Sequence, residues 1–134
     1  MSGHSKGEES LILIVDDEPI VLQSLQMILE HAGYRSVGAP SGSAAMKVLE
    51  GETPLRLVIV DLVLPDIPGE EVLARARALR PGLPLVAMSG LGKRLDEVRA
   101  SDGIDVYLAK PFEKNALVST IEKLLGEQQS DHSS

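Results

Sequence analysis

The sequence predicts one doubly wound α/β domain, with five parallel strands in the order 2-1-3-4-5 and five helices on the two faces of the sheet. Strand-like apolar segments alternate with amphipathic helical segments along the chain, and the strands are apolar enough to be covered on both faces. The length of 134 residues suits one domain with five such units. We place this domain at residues 11–125, between polar tails at 1–10 and 126–134 that we expect to be disordered.

The first strand–helix unit has clear boundaries. Leu11–Val15 is an unbroken aliphatic run, typical of a strand that is buried on both faces. Pro19 suits the first turn of the helix that follows, and Gly33 suits its end. Between them, apolar residues recur at helical spacing, at Val21, Leu25, Ile28 and Ala32.

The same alternation repeats four more times. A weaker strand at 34–39 precedes a helix at 41–51, which begins at a capping serine and ends at a glycine. The remaining segments are a strand at 55–60, a helix at 69–80, a strand at 83–88, a helix with few apolar residues at 93–101, a strand at 106–109 and a last helix carrying Leu117, Ile121, Leu124 and Leu125. Parallel neighbours need right-handed crossovers, so these helices should cover both faces of the sheet.

Composition narrows the classes of function. The net charge of −7 argues against direct contact with nucleic acid, because binding to the phosphate backbone relies on clustered Lys and Arg. The absence of cysteine excludes disulfides, thiolate metal sites and thiol nucleophiles. No signal peptide and no apolar stretch long enough for a membrane span occur in the sequence, so we expect a cytoplasmic protein without a membrane partner.

Reactive side chains follow four of the predicted strands. Asp16 and Asp17 follow the first strand, Asp61 ends the third, Ser89 ends the fourth and Lys110 follows the fifth. Ligands of open α/β sheets bind beyond the carboxyl ends of the strands, at the point where the strand order reverses. The five side chains are therefore expected at one edge of the sheet.

Three carboxylates at one edge repel each other unless a cation lies among them. A hard divalent ion such as Mg²⁺ or Mn²⁺ suits carboxylate oxygens and leaves room for phosphate oxygens in its shell. Asp61 could then act as a nucleophile towards phosphorus and form an acyl phosphate. The Lys110 ammonium and the Ser89 hydroxyl would neutralise and hold the phosphoryl oxygens.

Four motifs in register extend this interpretation: "VDDEP" after the first strand, "DLVLPDIPG" after the third, "MSG" after the fourth and "YLAKPF" around the fifth. Over nearly the whole folded unit the sequence resembles the receiver domain of two-component response regulators, which has a flavodoxin-like fold. The resemblance implies that Asp61 is the phosphoacceptor and that Asp17 is a direct Mg²⁺ ligand. It also implies that Asp16 binds the metal mainly through water and that the backbone carbonyl of Val63 completes the shell.

The resemblance further implies a switch. Ser89 and Lys110 would bind the phosphoryl oxygens, Ser89 and Tyr107 would form the switch pair, and the Lys110–Pro111 peptide bond would be cis. A phosphohistidine on a histidine kinase or phosphotransfer protein would be the donor. A downstream protein would bind the face formed by the fourth predicted helix, the fifth strand and the fifth predicted helix.

Simpler interpretations exist for each residue alone. Acidic pairs after strands often only cap helices, Asp61 and Ser89 could be turn residues, and Tyr107 could be ordinary packing. The arginines of the third helix are interpreted as a solvated face, at Arg75, Arg77 and Arg80.

Two other functions compete with a receiver. A Mg²⁺-dependent phosphatase or phosphotransferase with an aspartate nucleophile usually has a second acid two residues later, where this chain has Val63. The same aliphatic side chain could obstruct an attacking water, so we predict slow self-dephosphorylation. A receiver-like module that is never phosphorylated is the third possibility, although the full set of site residues argues against it. The sequence leaves open whether the domain acts alone or comes from a hybrid kinase or larger regulator, as well as its kinase, pathway and oligomeric state.

Overall fold

A computed structural model describes residues 11–90 and 104–133, the last seven of them (127–133) as backbone only. Five strands alternate with helices along the chain. The strands are β1 (Leu11–Val15), β2 (Ser36–Ala39), β3 (Leu55–Asp61), β4 (Leu85–Ser89) and β5 (Val106–Ala109). Each predicted strand is present, and Asp61 and Ser89 are the last residues of their strands.

Four of the five predicted helices lie within the described residues: α1 (Pro19–His31), α2 (Gly42–Glu50), α3 (Gly69–Leu79) and α4 (Lys114–Ser133). The helix predicted at 93–101 falls outside these residues. Helix α4 continues past Gly126, where the sequence analysis expected a tail, because one glycine costs a helix only about 1 kcal/mol and Glu and Gln follow it. The buried side chains described in α4 are Leu117, Ile121 and Leu125, and the domain limits at 11 and 125 remain a prediction.

The sheet has the predicted strand order, β2-β1-β3-β4-β5, and all neighbouring strands are parallel. Strands β1 and β3 lie side by side with Val15 opposite Val60. On the other side of β3, Asp61 lies opposite Met88 of β4. This register places the residues that follow β1 and the residue that ends β3 at the same edge.

Each face of the sheet has its own core. Helices α2 and α3 cover one face through a cluster that includes Val15, Leu49 and Val60. Helices α1 and α4 cover the other face through a cluster that includes Ile14 and Leu29. Alternate residues of each strand point to opposite faces, so β1 and the central residues 57–60 of β3 contribute to both clusters and are aliphatic. Among the described residues, the structure has no helix with the length and apolar composition needed to span a bilayer.

Candidate phosphoacceptor site

Three carboxylates meet at the carboxyl edge of the central strands. One oxygen each from Asp16, Asp17 and Asp61 lies within 4.8 Å of the other two. Asp16 is completely buried and Asp61 is 6% exposed, whereas Asp17 is exposed to solvent. The strand order brings them together because β1 and β3 are neighbours, although Asp61 lies 45 positions after Asp16 in the chain.

The Lys110 ammonium lies between two of these carboxylates. Its Nζ donates hydrogen bonds to Asp61 Oδ2 at 2.7 Å and to Asp16 Oδ2 at 2.9 Å. Burial lowers the pKa of Lys110, but the hydrogen bonds from its ammonium to Asp61 and Asp16 outweigh this effect, so the pKa lies above its usual value. Lys110 therefore stays positively charged across the physiological pH range.

Backbone N–H groups fix the remaining oxygens of both buried carboxylates. Asp16 Oδ1 accepts a hydrogen bond of 3.0 Å from the Glu18 N–H, and Asp61 Oδ1 accepts one of 2.9 Å from the Val63 N–H. In each carboxylate, Oδ1 therefore accepts from the backbone N–H two residues later. Oδ2 accepts from the Lys110 ammonium. These contacts hold the two side chains in one orientation before any ligand binds.

A cleft of about 400 Å³ opens beside Asp17, Asp61 and Lys110. Its lining consists of Asp17, Glu18, Asp61, Val63, Leu64, Pro65, Gly90 and Lys110. Three carboxylates face one ammonium, which leaves two negative charges for a divalent cation to balance. Opposite ligands of a Mg²⁺ ion with bonds of about 2.1 Å lie roughly 4.2 Å apart, so the three oxygens could share an ion after small side-chain shifts. The donor set fits Mg²⁺.

Ser89 and Tyr107 lie close to this edge but do not line the cleft. Ser89 is buried, and its hydroxyl donates a long hydrogen bond of 3.4 Å to the Gly90 carbonyl. The Ser89 carbonyl accepts a hydrogen bond of 2.7 Å from the Lys110 N–H, which ties the ends of β4 and β5 together. Tyr107 is half-buried and packs against the cluster beneath α2 and α3. The Lys110–Pro111 peptide bond is cis, as the resemblance implies.

A second, mainly apolar groove adjoins the cleft. It has a volume of about 500 Å³ and is lined by Ile20, Val21, Ser24, Leu25, Ile28, Lys110, Pro111 and Phe112. Lys110 belongs to both lining sets, so the groove begins where the cleft ends. Ile20 on its rim is 78% exposed, an unusual fraction for a large aliphatic side chain in a helix.

Two charged side chains bind the ends of α2, and the sequence predicted neither role. Asp66 accepts hydrogen bonds from the first N–H groups of this helix, and the Arg80 guanidinium donates to four backbone carbonyls at its other end, those of Val48, Leu49, Gly51 and Thr53. Interpreting Arg80 as part of a solvated face was therefore wrong. Arg75 does lie on the exposed side, where it pairs with Glu50 at 3.3 Å. A sequence pattern gives no sign of such contacts, because their partners are backbone groups distant along the chain.

Comparison with known proteins agrees with this geometry. The sequence model of the response regulator receiver domain matches residues 12–122, which is most of the chain. The chain belongs to this family. It is 32% identical over 120 residues to the probable transcriptional regulatory protein TcrX of Mycobacterium tuberculosis. That match covers 89% of the chain but only 51% of TcrX, so the receiver domain spans about half the length of this relative.

Solved receiver structures share the fold. A receiver domain protein from Methanospirillum hungatei superposes with a TM-score of 0.83 at 33% identity, over 91% of this chain and 98% of that one. The receiver domain of the sensor histidine kinase PA1611 from Pseudomonas aeruginosa has a TM-score of 0.77 at 26% identity, over 87% and 98% of the two chains. That structure holds a magnesium ion in its active site cleft.

Proposed function

We propose that this receiver accepts a phosphoryl group on Asp61, with Mg²⁺ or Mn²⁺ held by Asp16, Asp17, Asp61 and the Val63 carbonyl. The observation that carries the proposal is the Lys110 ammonium, which bridges Asp16 and Asp61 next to a cleft lined by Asp17. This arrangement puts a nucleophilic carboxylate, a fixed positive charge and a set of metal ligands around one space. Those are the parts that phosphoryl transfer needs.

The proposed reaction forms one bond and breaks one. An Asp61 carboxylate oxygen attacks the phosphorus of a phosphohistidine, the phosphorus–nitrogen bond breaks, and the imidazole nitrogen keeps the electron pair and takes a proton from solvent. Bound Mg²⁺ would neutralise charge on the phosphoryl oxygens. The Lys110 ammonium would pair with one of the same oxygens, and the Ser89 hydroxyl would donate a hydrogen bond to another. Ser89 and Tyr107 would then act as the switch pair.

The domain is proposed to be a switch and not a turnover enzyme. The residue two positions after Asp61 is Val63, whose aliphatic side chain is 59% exposed and lines the cleft. It can neither deliver nor accept a proton, so release of the phosphoryl group has no side-chain acid or base at that position. We propose that the domain acts in the cytoplasm, where nucleoside triphosphates supply the phosphoryl groups that a kinase transfers.

The donor is proposed to be a protein carrying the phosphohistidine, either a histidine kinase or a phosphotransfer protein. The apolar groove around Ile20 and Phe112 supports this, since it adjoins the cleft and offers a surface larger than a small phosphodonor needs. A downstream protein would bind the face that includes β5 and α4. Part of that face, the helix predicted at 93–101, lies outside the described residues.

Intact mass spectrometry tests the proposal. Incubation with Mg²⁺ and a small acyl phosphate should add the mass of one phosphoryl group to the wild-type chain and none to Asp61→Asn. Glu50→Gln, which alters an exposed carboxylate outside both the three-carboxylate cluster and the cleft lining, is the matched control and should still be labelled. Continuous release of inorganic phosphate would instead indicate an enzyme, and a wild-type chain that stays unlabelled would indicate a receiver fold without phosphorylation.

A further inference from the structure

The loop between β3 and α3, residues 62–68, carries the rim of the cleft and is closed at its base. The Gly69 N–H donates a hydrogen bond of 3.1 Å to the Leu62 carbonyl, which brings the two ends of the loop together. The closure depends on glycine, because a Cβ at position 69 would lie 2.3 Å from the Asp61 carbonyl oxygen. Val63, Leu64 and Pro65 then extend over the cleft from this base.

The middle of the loop is attached to a different element. Both Asp66 carboxylate oxygens point at the start of α2, where Oδ1 accepts from the Gly42 N–H and Oδ2 from the Ser43 N–H, each at 2.9 Å. The Ser43 hydroxyl adds a third hydrogen bond to Oδ2 at 2.6 Å. A carboxylate suits this position, since the first N–H groups of a helix lack partners within the helix and carry partial positive charge.

Gly42 is what permits the loop to approach so closely. A Cβ at this position would lie 2.8 Å from Ile67 Cβ and 3.2 Å from Asp66 Oδ1. Ile67 itself is half-buried and packs against the cluster beneath α2 and α3. The loop therefore packs against the start of α2 through both hydrogen bonds and apolar contacts.

We propose that Asp66 is a positioning residue for the phosphoacceptor site, an inference that rests on the proposed function. Only Leu64 and Pro65 separate it from Val63, and the proline ring fixes its own φ and restricts the residue before it. A restraint at Asp66 therefore reaches Val63 through two residues with little freedom. Val63 in turn holds Asp61 Oδ1 with its N–H and is the proposed source of the carbonyl ligand.

Asp66→Ala should release the loop, weaken Mg²⁺ binding and expose the Val63 amide. Changes to residues that orient metal ligands typically weaken metal binding about 10- to 100-fold, and we expect the lower end here because Val63 supplies one ligand of several. Isothermal titration calorimetry with Mg²⁺ measures the affinity. Hydrogen exchange of the Val63 amide in the metal-free protein measures the loop directly, and exchange there should accelerate.

Arg80→Ala is the matched control, because it removes hydrogen bonds from the opposite end of the same helix. It should lower stability while leaving Mg²⁺ affinity and Val63 exchange unchanged. Asp66→Asn keeps one acceptor oxygen but places an NH₂ donor where the second oxygen accepted from Ser43, so it should recover only part of the wild-type affinity. If Asp66→Ala fails to fold, Ser43→Ala removes a single hydrogen bond and should produce a smaller change in the same direction.

Equal effects of Asp66→Ala and Arg80→Ala on Val63 exchange would overturn the inference, as would unchanged Mg²⁺ affinity in Asp66→Ala. The proposed function fails in a different way. If the wild-type chain bound no Mg²⁺ or took no phosphoryl group on Asp61, the exchange measurement would still show whether Asp66 holds the loop.

Discussion

Helices α1 and α2 lie on opposite faces of the same sheet. They differ in the side chains that bind their ends and in the apolar area that their outer surfaces expose. Ser41 caps the start of helix α2, where its Oγ accepts a hydrogen bond of 3.1 Å from the Ala44 N–H, and Asp66 and Arg80 bind the two ends of the helix. Helix α1 has no side-chain cap at Glu18. Helix α1 exposes apolar side chains beside the cleft. The backbone groups at the ends of α2, in contrast, are hydrogen-bonded to side chains of the same chain.

The two faces therefore differ in what they contact. The α2 side holds the loop that forms the rim of the cleft, and the α1 side is the surface proposed to receive the donor protein. Ile20 and Met27 of α1 are 78% and 58% exposed, and Ile20 lines the groove that adjoins the site. Exposed aliphatic side chains next to a reactive cleft favour contact with a partner.

Core substitutions should give the largest effect and should not distinguish the helices. Leu29 of α1 and Leu49 of α2 are both buried, so Leu29→Ala and Leu49→Ala should each lower the free energy of unfolding by about 3 kcal/mol. Urea denaturation measures both. A large loss of unfolding free energy in one variant and a small loss in the other would contradict this. The buried faces of α1 and α2 would then differ as well as their ends and outer surfaces.

Ile20→Glu tests whether the α1 side receives the donor. Transfer from a histidine phosphodonor protein should slow about 10-fold, since a buried contact of roughly 1.4 kcal/mol is lost, while labelling by a small acyl phosphate stays unchanged. Met27→Glu is the control, because Met27 is an exposed apolar residue of α1 that does not line the groove. Equal slowing in both variants would show that added negative charge, and not the groove, is responsible.

Removing the N-cap side chain should cost α2 about 1 kcal/mol more unfolding free energy than it costs α1. Ser41→Ala removes the side-chain acceptor at the start of α2 and should cost about that amount of unfolding free energy. Glu18→Ala should have almost no effect on stability, since the Glu18 side chain makes no capping hydrogen bond. Thermal or urea unfolding of the two variants gives the comparison, and similar losses would contradict it.

Val63 shows that an exposed aliphatic side chain near the site need not be a partner contact. Val63→Asn should speed decay of the phosphorylated form several-fold, because a polar side chain can admit and orient the attacking water. Decay followed by intact mass gives the rate. Met27→Asn, equally exposed but outside the cleft, should decay like the wild-type protein, and an unchanged or slower decay in Val63→Asn would count against steric obstruction.

Acid should weaken the attachment of the 62–68 loop to α2. Hydrogen bonds from the Ser43 hydroxyl, and from the Ser43 and Gly42 N–H groups, hold the pKa of Asp66 well below its ordinary value of 3.8. Because the folded-state pKa is the lower one, Asp66 stabilises the fold above about pH 4 and loses this contribution as the pH falls further. The stability difference between wild type and Asp66→Ala should therefore narrow below pH 4, and a constant difference would exclude the carboxylate as its source.

The sequence by itself determined the order of the elements and the main members of the site. Aliphatic runs such as Leu11–Val15 are typical of strands buried between two layers, and reactive residues that follow parallel strands lie at one edge of the sheet. The prediction that Asp16, Asp17, Asp61 and Lys110 lie together is confirmed for that reason. Local pattern and chain direction contain all the information this step needs.

Only the tertiary structure decided how the site is held. Asp66 and Arg80 bind backbone groups of α2 that lie more than 20 residues earlier in the chain, and a sequence pattern does not reveal contacts to backbone groups. The same holds for Gly42 and Gly69, where an added Cβ would lie within 3 Å of atoms of another chain segment. Contacts of this kind depend on packing distances, which periodicity and composition do not specify.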